Sequence, residues 1–487
     1  MKVVRLLPVL IGAASVAAAE GSFEPHLDIV PRTQSEEARV VSVLEADPGT
    51  LSPFEHLPLG AATVLDTEGD EAFTRAFANL PEDRELDFLV GRSLFRKLWV
   101  SSPSSTKASD GLGPLYNARS CLACHPGNGR GVVPEPGERP LSLVLKMTDG
   151  AGGKDPIYGL QLQTNSVSGL AAEAVMRVEA RQEIVTLADG TEVVMHHPTY
   201  QVSDMAQGDL AAPDRISPRI APQVPGLGMV EVIRAEDILA LADPEDTDGD
   251  GISGRARIVH SLEYDQPMIG RFGRKAGTPT IKQQTADAFS HDIGISTPMF
   301  PAAWGDCTAA QADCRGLPHG DKDVRGFEVD GRALDLVTLY GVRLGMPSRR
   351  DAGDARVLAG KALFSEIGCA DCHQPAFVTH RLKDDPSRSF QLIWPYSDFL
   401  LHDMGAALAD GGIEADVDAR EWKTPPLWGI GRTAEVSGRA SYLHDGRARS
   451  LLEAVLWHGG EAQAVRDRVV ALSTKDREAL IRFLESL

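Results

Sequence analysis

Two copies of one cysteine and histidine pattern constrain this chain more than any other feature. The pattern Cys-x-x-Cys-His occupies residues 121–125 and again residues 369–373. Two thiols at this spacing reach the two vinyl groups of one porphyrin, while the adjacent imidazole binds the iron. A redox Cys-x-x-Cys or half of a zinc site does not need that histidine in both copies. The sequence therefore predicts two haem c groups, bound covalently by Cys121, Cys124, Cys369 and Cys372, with His125 and His373 as axial iron ligands.

The two remaining cysteines, Cys307 and Cys314, are close together in a segment rich in Gly, Asp and Ala. In an oxidising compartment they are expected to pair as a disulfide. Two free, buried thiols are the alternative.

The N-terminus has the pattern of a secretory signal peptide. Lys2 and Arg5 precede an apolar run over residues 6–16, and residues 17–19 fit an Ala-x-Ala cleavage site. The apolar run is too short to span a bilayer, and no later stretch is long enough. We therefore expect an exported, periplasmic protein that is cleaved near Ala19 and has no membrane span.

The charge balance narrows the choice of partners. The chain has 49 basic and 69 acidic side chains, a formal net charge of −20. We therefore do not expect nucleic acid or an anionic membrane as a partner. An acidic surface favours a basic electron-donor protein, although solubility alone accounts for such a charge equally well.

A helix with the same pattern precedes each motif. Residues 89–95 and 358–364 both read Leu-small-Gly-basic-small-Leu-Phe. This repeat predicts two related haem domains, the first enlarged by insertion. We predict a mainly α fold with two cytochrome c-like haem domains, long loops and a minor β-hairpin. The expected divisions are a signal peptide (1–19), a leader without assigned function (20–80), an enlarged haem domain (81–345) and a C-terminal haem domain (346–487).

The hairpin is predicted between the two motifs. Residues 183–197 alternate between apolar and polar side chains on either side of Asp189-Gly190. This pattern is typical of two antiparallel strands joined by a tight turn.

A second short motif follows the hairpin. Asp246, Asp248 and Asp250 stand at positions 1, 3 and 5 of a calcium-loop pattern, and Gly251 stands at position 6. Position 12, where an acid is expected, is Arg257. Two interpretations stay open, a partial Ca²⁺ site and a plain Asp/Gly turn.

The order of motifs in the C-terminal half resembles the bacterial di-haem cytochrome c peroxidase superfamily. Those proteins carry Gly-x-x-Leu-Phe, Cys-x-x-Cys-His, Phe-His-Asn-x-Gly, Thr-Pro-x-Leu, Tyr-Phe-His-Asp-Gly and Leu-x-x-Ala-Val-x-x-Met in that order. The corresponding segments here are residues 360–364, 369–373, 401–405, 424–427, 442–446 and 452–458. Across its whole length the chain is most similar to the di-haem oxidoreductase family, whose members carry peroxidase or thiol oxidoreductase labels.

The resemblance implies a second iron ligand for the C-terminal haem. In the peroxidases the last motif ends in the Met that is the second axial ligand, and His458 stands in its place here. A second imidazole lowers the haem potential relative to a thioether. Met404 is the competing ligand, whereas His402 and His444 are expected to contact propionates or turns.

The resemblance implies that the N-terminal haem reacts with peroxide, assisted by a Glu and a Gln. Glu173 and Glu179 are the candidate acids, and His196, His197 and His260 are the candidate sixth ligands. An open or water-bound iron at His125 is the alternative.

The function implied is that of a peroxidase-type oxidoreductase, in which the His373 haem transfers electrons and the His125 haem reacts. Its expected partner is an electron-donor protein, either a cytochrome c or a cupredoxin, or else a protein substrate. The alternatives are a non-catalytic di-haem electron carrier, accessory to iron acquisition, and a thiol oxidoreductase. A thiol oxidoreductase would lack a free thiol, because four cysteines would be bound to haem and the other two paired as a disulfide.

Overall fold

The computed structural model describes residues 23–45, 47–65, 67–149, 151–210, 216–320 and 326–487. The predicted signal peptide, residues 1–19, lies outside these described residues. Within them, no helix combines the length and the apolar character needed to cross a membrane.

Most helices are short, and two pairs of them cross next to the Cys-x-x-Cys-His motifs. Those of the described residues are α1 (Gln34–Leu44), α2 (Glu85–Arg96), α3 (Cys121–Cys124), α4 (Leu227–Val230), α5 (Ala235–Leu239), α6 (Ile281–His291), α7 (Ala312–Arg315), α8 (Gly331–Val342), α9 (Ala355–Glu366), α10 (Thr433–Ser437), α11 (Leu451–Leu456), α12 (Gln463–Ala471) and α13 (Thr474–Ser486). Helix α2 packs on α8, and α9 packs on α13.

The described strands form one three-stranded sheet, β5-β4-β9, and several two-stranded pairs. They are β1 (Val100–Ser101), β2 (Asp110–Leu112), β3 (Leu115–Tyr116), β4 (Leu143–Met147), β5 (Gln161–Leu162), β6 (Asn165–Ser166), β7 (Val175–Thr186), β8 (Glu192–Ser203), β9 (Ile216–Ile220), β10 (Ile258–Ser261), β11 (Gln266–Ile269), β12 (Phe377–Val378), β13 (Leu392–Ile393), β14 (Leu401–Asp403) and β15 (Glu421–Lys423).

The prediction of a mainly α fold is wrong. Helices make up 29% and strands 17% of the chain, and the strands are spread over many small sheets. Most strands contain only two to five residues. Such short segments show no measurable alternation in sequence, because their formation depends on pairing with distant segments.

The leader is part of the protein core. One of the two largest buried clusters among the described residues joins Leu59 and Phe73 of the N-terminal region to Met229, Phe399 and Trp428. This cluster contains residues from both sides of the boundary predicted at residue 345. The domain limits therefore stay a prediction.

The predicted hairpin is present and longer than expected. Strands β7 and β8 pair antiparallel from Val175 and Ser203 to Thr186 and Glu192. Near the hairpin tip, Leu187, Val193 and Met195 are buried in the core of the C-terminal half. The hairpin therefore extends from the inserted region and docks on the second half of the chain.

Candidate haem sites

Each Cys-x-x-Cys-His motif forms a single helical turn. The first is α3, and the second is the 3₁₀ turn Cys369–Asp371. In both, the histidine backbone N–H donates to the carbonyl of the first cysteine at 3.0 Å. A single turn brings the two cysteines to the same side, the arrangement that thioether attachment to one porphyrin needs.

The two histidines are held in the same way. His125 Nδ1 lies 2.7 Å from the carbonyl oxygen of Pro222, and His373 Nδ1 lies 3.0 Å from that of Tyr396. Burial lowers the pKa of each imidazole to about 4, so both rings are neutral. A neutral imidazole with Nδ1 engaged presents Nε2 to a metal.

The glycine of the repeated helix allows a close helix crossing. A Cβ added at Gly91 would lie under 3.0 Å from the carbonyl oxygen of Leu336 in α8. A Cβ at Gly360 would meet the carbonyl oxygen of Ala479 in α13 in the same way. Only glycine permits such backbone contacts, which explains the repeated Gly.

The phenylalanine of the same repeat lies beside the motif histidine. The ring centroids of Phe95 and His125 are 6.1 Å apart, as are those of Phe364 and His373. The repeated pattern therefore builds one wall of each site.

His458 follows α11 and is oriented toward the second site. Its Nδ1 lies 2.8 Å from the carbonyl oxygen of Ala454, which leaves Nε2 for another partner. Its ring is close enough that a charge on it would lower the pKa of His373. Met404, the competing residue, packs at the edge of the surrounding core.

His402 lies between two carboxylates. Its Nε2 lies 2.8 Å from Asp398 and its Nδ1 2.7 Å from Glu461. Burial alone would lower its pKa, but hydrogen bonds with Asp398, Cys372 and Glu461 raise the pKa to about 12. His402 is therefore a buried imidazolium between two carboxylates, with Cys372 Sγ 3.8 Å away.

His444 stacks on an aromatic ring between the two halves. Its imidazole lies 3.8 Å from the ring of Trp422 at an interplanar angle of 12°. Lys275 and Arg219 lie over the ring of Trp422 at 4.2 Å and 4.9 Å.

The histidines proposed as sixth ligands of the first haem have other partners. His196 contacts the carboxylate of Glu453 through its backbone N–H and Nδ1. His197 packs edge-on against Trp457 at 4.9 Å, and His260 pairs on the surface with Asp265. Two of the three thus contact the helix segment that carries His458.

Sequence reasoning missed His291, the last residue of α6. Helix α6 is the counterpart of α11, because a local bridge between Phe272 and Thr278 precedes it and a bridge between Tyr442 and Ala448 precedes α11. Like His458, His291 approaches the carbonyl four residues earlier. The signal that could have found it is a histidine at the end of a helix that follows this turn.

The surroundings of His291 differ from those of His458. Its Nδ1 lies 3.0 Å from a carboxylate oxygen of Asp287, and its Nε2 lies 3.8 Å from Asp306. Burial opposes protonation, but Asp287 and Asp306 raise the pKa of His291 above its ordinary value. The two carboxylates thus favour the protonated form of His291, in which neither ring nitrogen has a lone pair for iron.

Glu173 is buried within a polar network near the first motif. Burial raises the pKa of Glu173 to about 8, although Gln163 N–H and Gln311 Nε2 donate to it at 2.6 Å and 2.5 Å. Gln163 Nε2 also donates to the His291 carbonyl at 2.7 Å. Glu179, the other candidate acid, is exposed on β7.

The network reaches the first pair of cysteines through Asp292. Gln161 Nε2 donates to Asp292 at 2.7 Å. After burial, Asp292 is the next cause that raises the pKa values of the Cys121 and Cys124 thiols. The candidate acid Glu173 and this thiol pair therefore belong to one region of the molecule.

Three cations with little access to bulk solvent fit the two carboxylates that every haem carries. Arg130, Arg274 and Lys423 form no ion pair within the described ranges. Burial lowers the pKa of Arg130 to about 10 and that of Lys423 to about 7. Arg274 lies within electrostatic range of His125, and Lys423 within range of Asp398. Such cations need anionic partners, and haem propionates would supply them at both sites.

The acidic loop brings its carboxylates together. Asp246, Asp248 and Asp250 each offer an oxygen within 4.8 Å of the others. Arg257, at position 12 of the pattern, is buried and pairs with Asp416 at 3.0 Å. It thus contributes no ligand atom.

Cys307 and Cys314 are joined by a disulfide with their Cα atoms 6.4 Å apart. Asp306, which immediately precedes Cys307, lies 3.8 Å from His291 Nε2 and belongs to the network around that histidine.

Comparison with known proteins identifies a family for this chain. The family model described as "Di-haem oxidoreductase, putative peroxidase" matches residues 58–150 and 162–487. No curated protein matches the chain. Among solved structures, a Kuenenia stuttgartiensis hydrazine synthase pressurised with 20 bar xenon is 18% identical, with a TM-score of 0.23. The match covers 39% of this chain and 65% of that one, and at this TM-score it carries no argument about fold. The family match covers most of the sequence and confirms the resemblance found in its motifs, so the chain belongs to the di-haem oxidoreductase family.

Proposed function

We propose that this protein is a periplasmic peroxidase-type oxidoreductase with two covalently attached haem c groups. In this proposal His125 holds the peroxide-reactive group, here called haem 1. His373 and His458 hold the electron-transfer group, here called haem 2. Cys121, Cys124, Cys369 and Cys372 form the thioether bonds.

One contrast carries the proposal, the difference between His458 and His291. Both follow corresponding helices, and both approach the carbonyl four residues earlier. Two carboxylates flank His291, whereas His458 forms no ion pair with a carboxylate among the described residues. This supports a haem 2 with two imidazole ligands and a haem 1 whose sixth position is open to peroxide.

When bound, haem supplies the redox chemistry, and the chain sets access, potential and proton supply. Glu173 is suited to proton transfer near haem 1, because a buried carboxyl with a pKa of about 8 holds a proton at neutral pH. Arg274 and Lys423 are joined through their backbones, since Lys423 N–H donates to the Arg274 carbonyl at 3.0 Å. They would hold propionates of the two haems on adjacent segments.

The partner in this proposal is a small electron-donor protein, a cytochrome c or a cupredoxin. Support comes from the net charge of −20 and from Asp371, which is exposed in the second motif within electrostatic range of Asp250. A basic donor would be attracted to this edge of haem 2. Ca²⁺ binding by the acidic loop next to it stays a prediction.

A thiol oxidoreductase is the less supported activity. Burial raises the pKa of both Cys121 and Cys369 to about 12. Thiols with such pKa values form little of the thiolate that attacks disulfides.

The test is to add peroxide to the half-reduced, haem-loaded protein and follow each haem by stopped-flow absorption spectroscopy. The proposal predicts a rapid change at haem 1, followed by oxidation of haem 2. A protein whose two haems both ignore peroxide would be an electron carrier.

A further inference from the structure

The leader contributes a buried carboxylate to the second haem site. Glu55 is fully buried, and Arg349 and Lys361 donate to it at 2.5 Å and 2.6 Å. The hydroxyl of Tyr396 donates to the same carboxylate at 2.7 Å. Burial would raise the pKa of Glu55, but Arg349 and Lys361 lower it below its ordinary value. Glu55 is therefore an anion that fixes the Tyr396 hydroxyl.

Tyr396 needs this support because its backbone is strained. Its φ is 52°, in the left-handed region that residues with a Cβ rarely adopt. Its carbonyl oxygen is the partner of His373 Nδ1. In the first site the same contact comes from Pro222, whose ring restricts φ by itself.

The ring of Tyr396 is fixed by the crossing helices. It packs edge-on against Phe364 of α9 and Phe483 of α13, with centroids 5.9 Å and 5.5 Å apart. Lys361, which binds Glu55, is the basic residue of the repeated helix pattern. Within the described ranges, its counterpart in the first copy, Arg92, forms no ion pair with an acid. The leader thus adds a component to the second site that the described part of the first site lacks.

We propose that Glu55 is a positioning residue for haem 2, because it holds Tyr396 and thereby the carbonyl that orients His373. The inference rests on the proposed function in one respect, that His373 is the ligand of a bound haem. A firm hydrogen bond from Nδ1–H makes the imidazole a stronger donor to iron and lowers the haem potential. Loosening Tyr396 should therefore make haem 2 easier to reduce.

The experiment is a spectroelectrochemical titration of the full-length, haem-loaded protein. Glu55→Gln and Tyr396→Phe should each shift the potential of haem 2 to more positive values and leave that of haem 1 unchanged. Glu24→Gln is the matched control, because Glu24 is also a buried leader carboxylate and pairs with Arg271 and His380 instead. It should leave the potential of haem 2 as in the wild type.

An unshifted haem 2 potential in both variants would overturn the inference, as would an equal shift in Glu24→Gln. If Glu55→Gln fails to fold, Tyr396→Phe decides by itself, because it removes one hydroxyl and keeps the carboxylate paired. Mass spectrometry of the wild type distinguishes failure of the proposed function from failure of the role proposed for Glu55. Absence of haem on Cys369 and Cys372 would defeat the proposed function, whereas attached haem with unshifted potentials defeats only the role of Glu55.

Discussion

The two haem sites are built from the same parts and differ in how each part is held. In both, a glycine brings two helices into backbone contact, a phenylalanine lies beside the motif histidine, and a carbonyl receives Nδ1. The first site uses a proline carbonyl, and the helix that corresponds to α11 ends in a histidine flanked by two carboxylates. The second uses the strained Tyr396 and offers His458.

In the proposed function, one scaffold supports two haem roles. The shared features would position each haem and its first ligand. The second ligand and the charges around it would then determine whether the iron is saturated or open. Glu55 and Glu173 show the same division, since cations keep one buried acid charged and burial keeps the other protonated.

Removing one cysteine pair at a time should have the largest effect on the two haem sites. The double variant Cys121→Ala, Cys124→Ala is expected to lose haem 1 and the entire peroxide response. The variant Cys369→Ala, Cys372→Ala should keep the optical response to peroxide and lose turnover with a reduced donor. Mass spectrometry verifies one covalent haem in each. A peroxide response that survives in the first variant would reverse the assigned roles.

Replacing His458 and His291 in turn tests the iron ligands proposed for the two haems. His458→Ala should convert haem 2 from low spin to high spin, and His458→Met should keep it low spin at a more positive potential. His291→Ala is the control and should leave both spin states unchanged. Electron paramagnetic resonance measures these states. A spin change at haem 1 in His291→Ala would mean that His291 is a ligand.

The hairpin ties the inserted region to the segment bearing His458. Met195, near its tip, is 6% exposed, so Met195→Ala should lower the free energy of unfolding by roughly 2 to 5 kcal/mol. Its neighbour Val194 is 42% exposed, so Val194→Ala should change the free energy of unfolding by about 0.5 kcal/mol or less. Denaturant titration compares them. Equal effects would show that the tip is not docked.

The two buried acids should respond oppositely to pH. Glu173, with a pKa of about 8 when folded and an ordinary value of 4.5, binds more protons in the folded state, so stability falls between these values as pH rises. Glu173→Gln should remove a loss of stability of roughly 3 to 4 kcal/mol between about pH 5 and about pH 8. Glu55, whose folded pKa is lowered, stabilises above its unfolded pKa and loses this effect as pH falls. Thermal unfolding from about pH 5 to about pH 8 measures the first trend. A wild type and a Glu173→Gln variant with parallel pH profiles would contradict it.

The motifs allowed the haem-binding residues, the repeated helix and the hairpin turn to be predicted, because these are local patterns. The docking of Met195, the network of His291 and the burial of Glu55 depend on contacts between residues far apart in sequence. The sequence alone therefore assigns no function to the leader. The mainly α prediction failed for the same reason, because strands such as β12 and β13 form only by pairing with each other.

The proposed function requires two imidazole ligands on haem 2 and an open position on haem 1. Electron paramagnetic resonance of the haem-loaded wild type, as isolated and half reduced, measures both. We expect one low-spin centre with two histidine ligands and, in at least one of these states, one high-spin centre that changes on addition of peroxide. Two low-spin centres in every redox state, unchanged by peroxide, would contradict the proposed function.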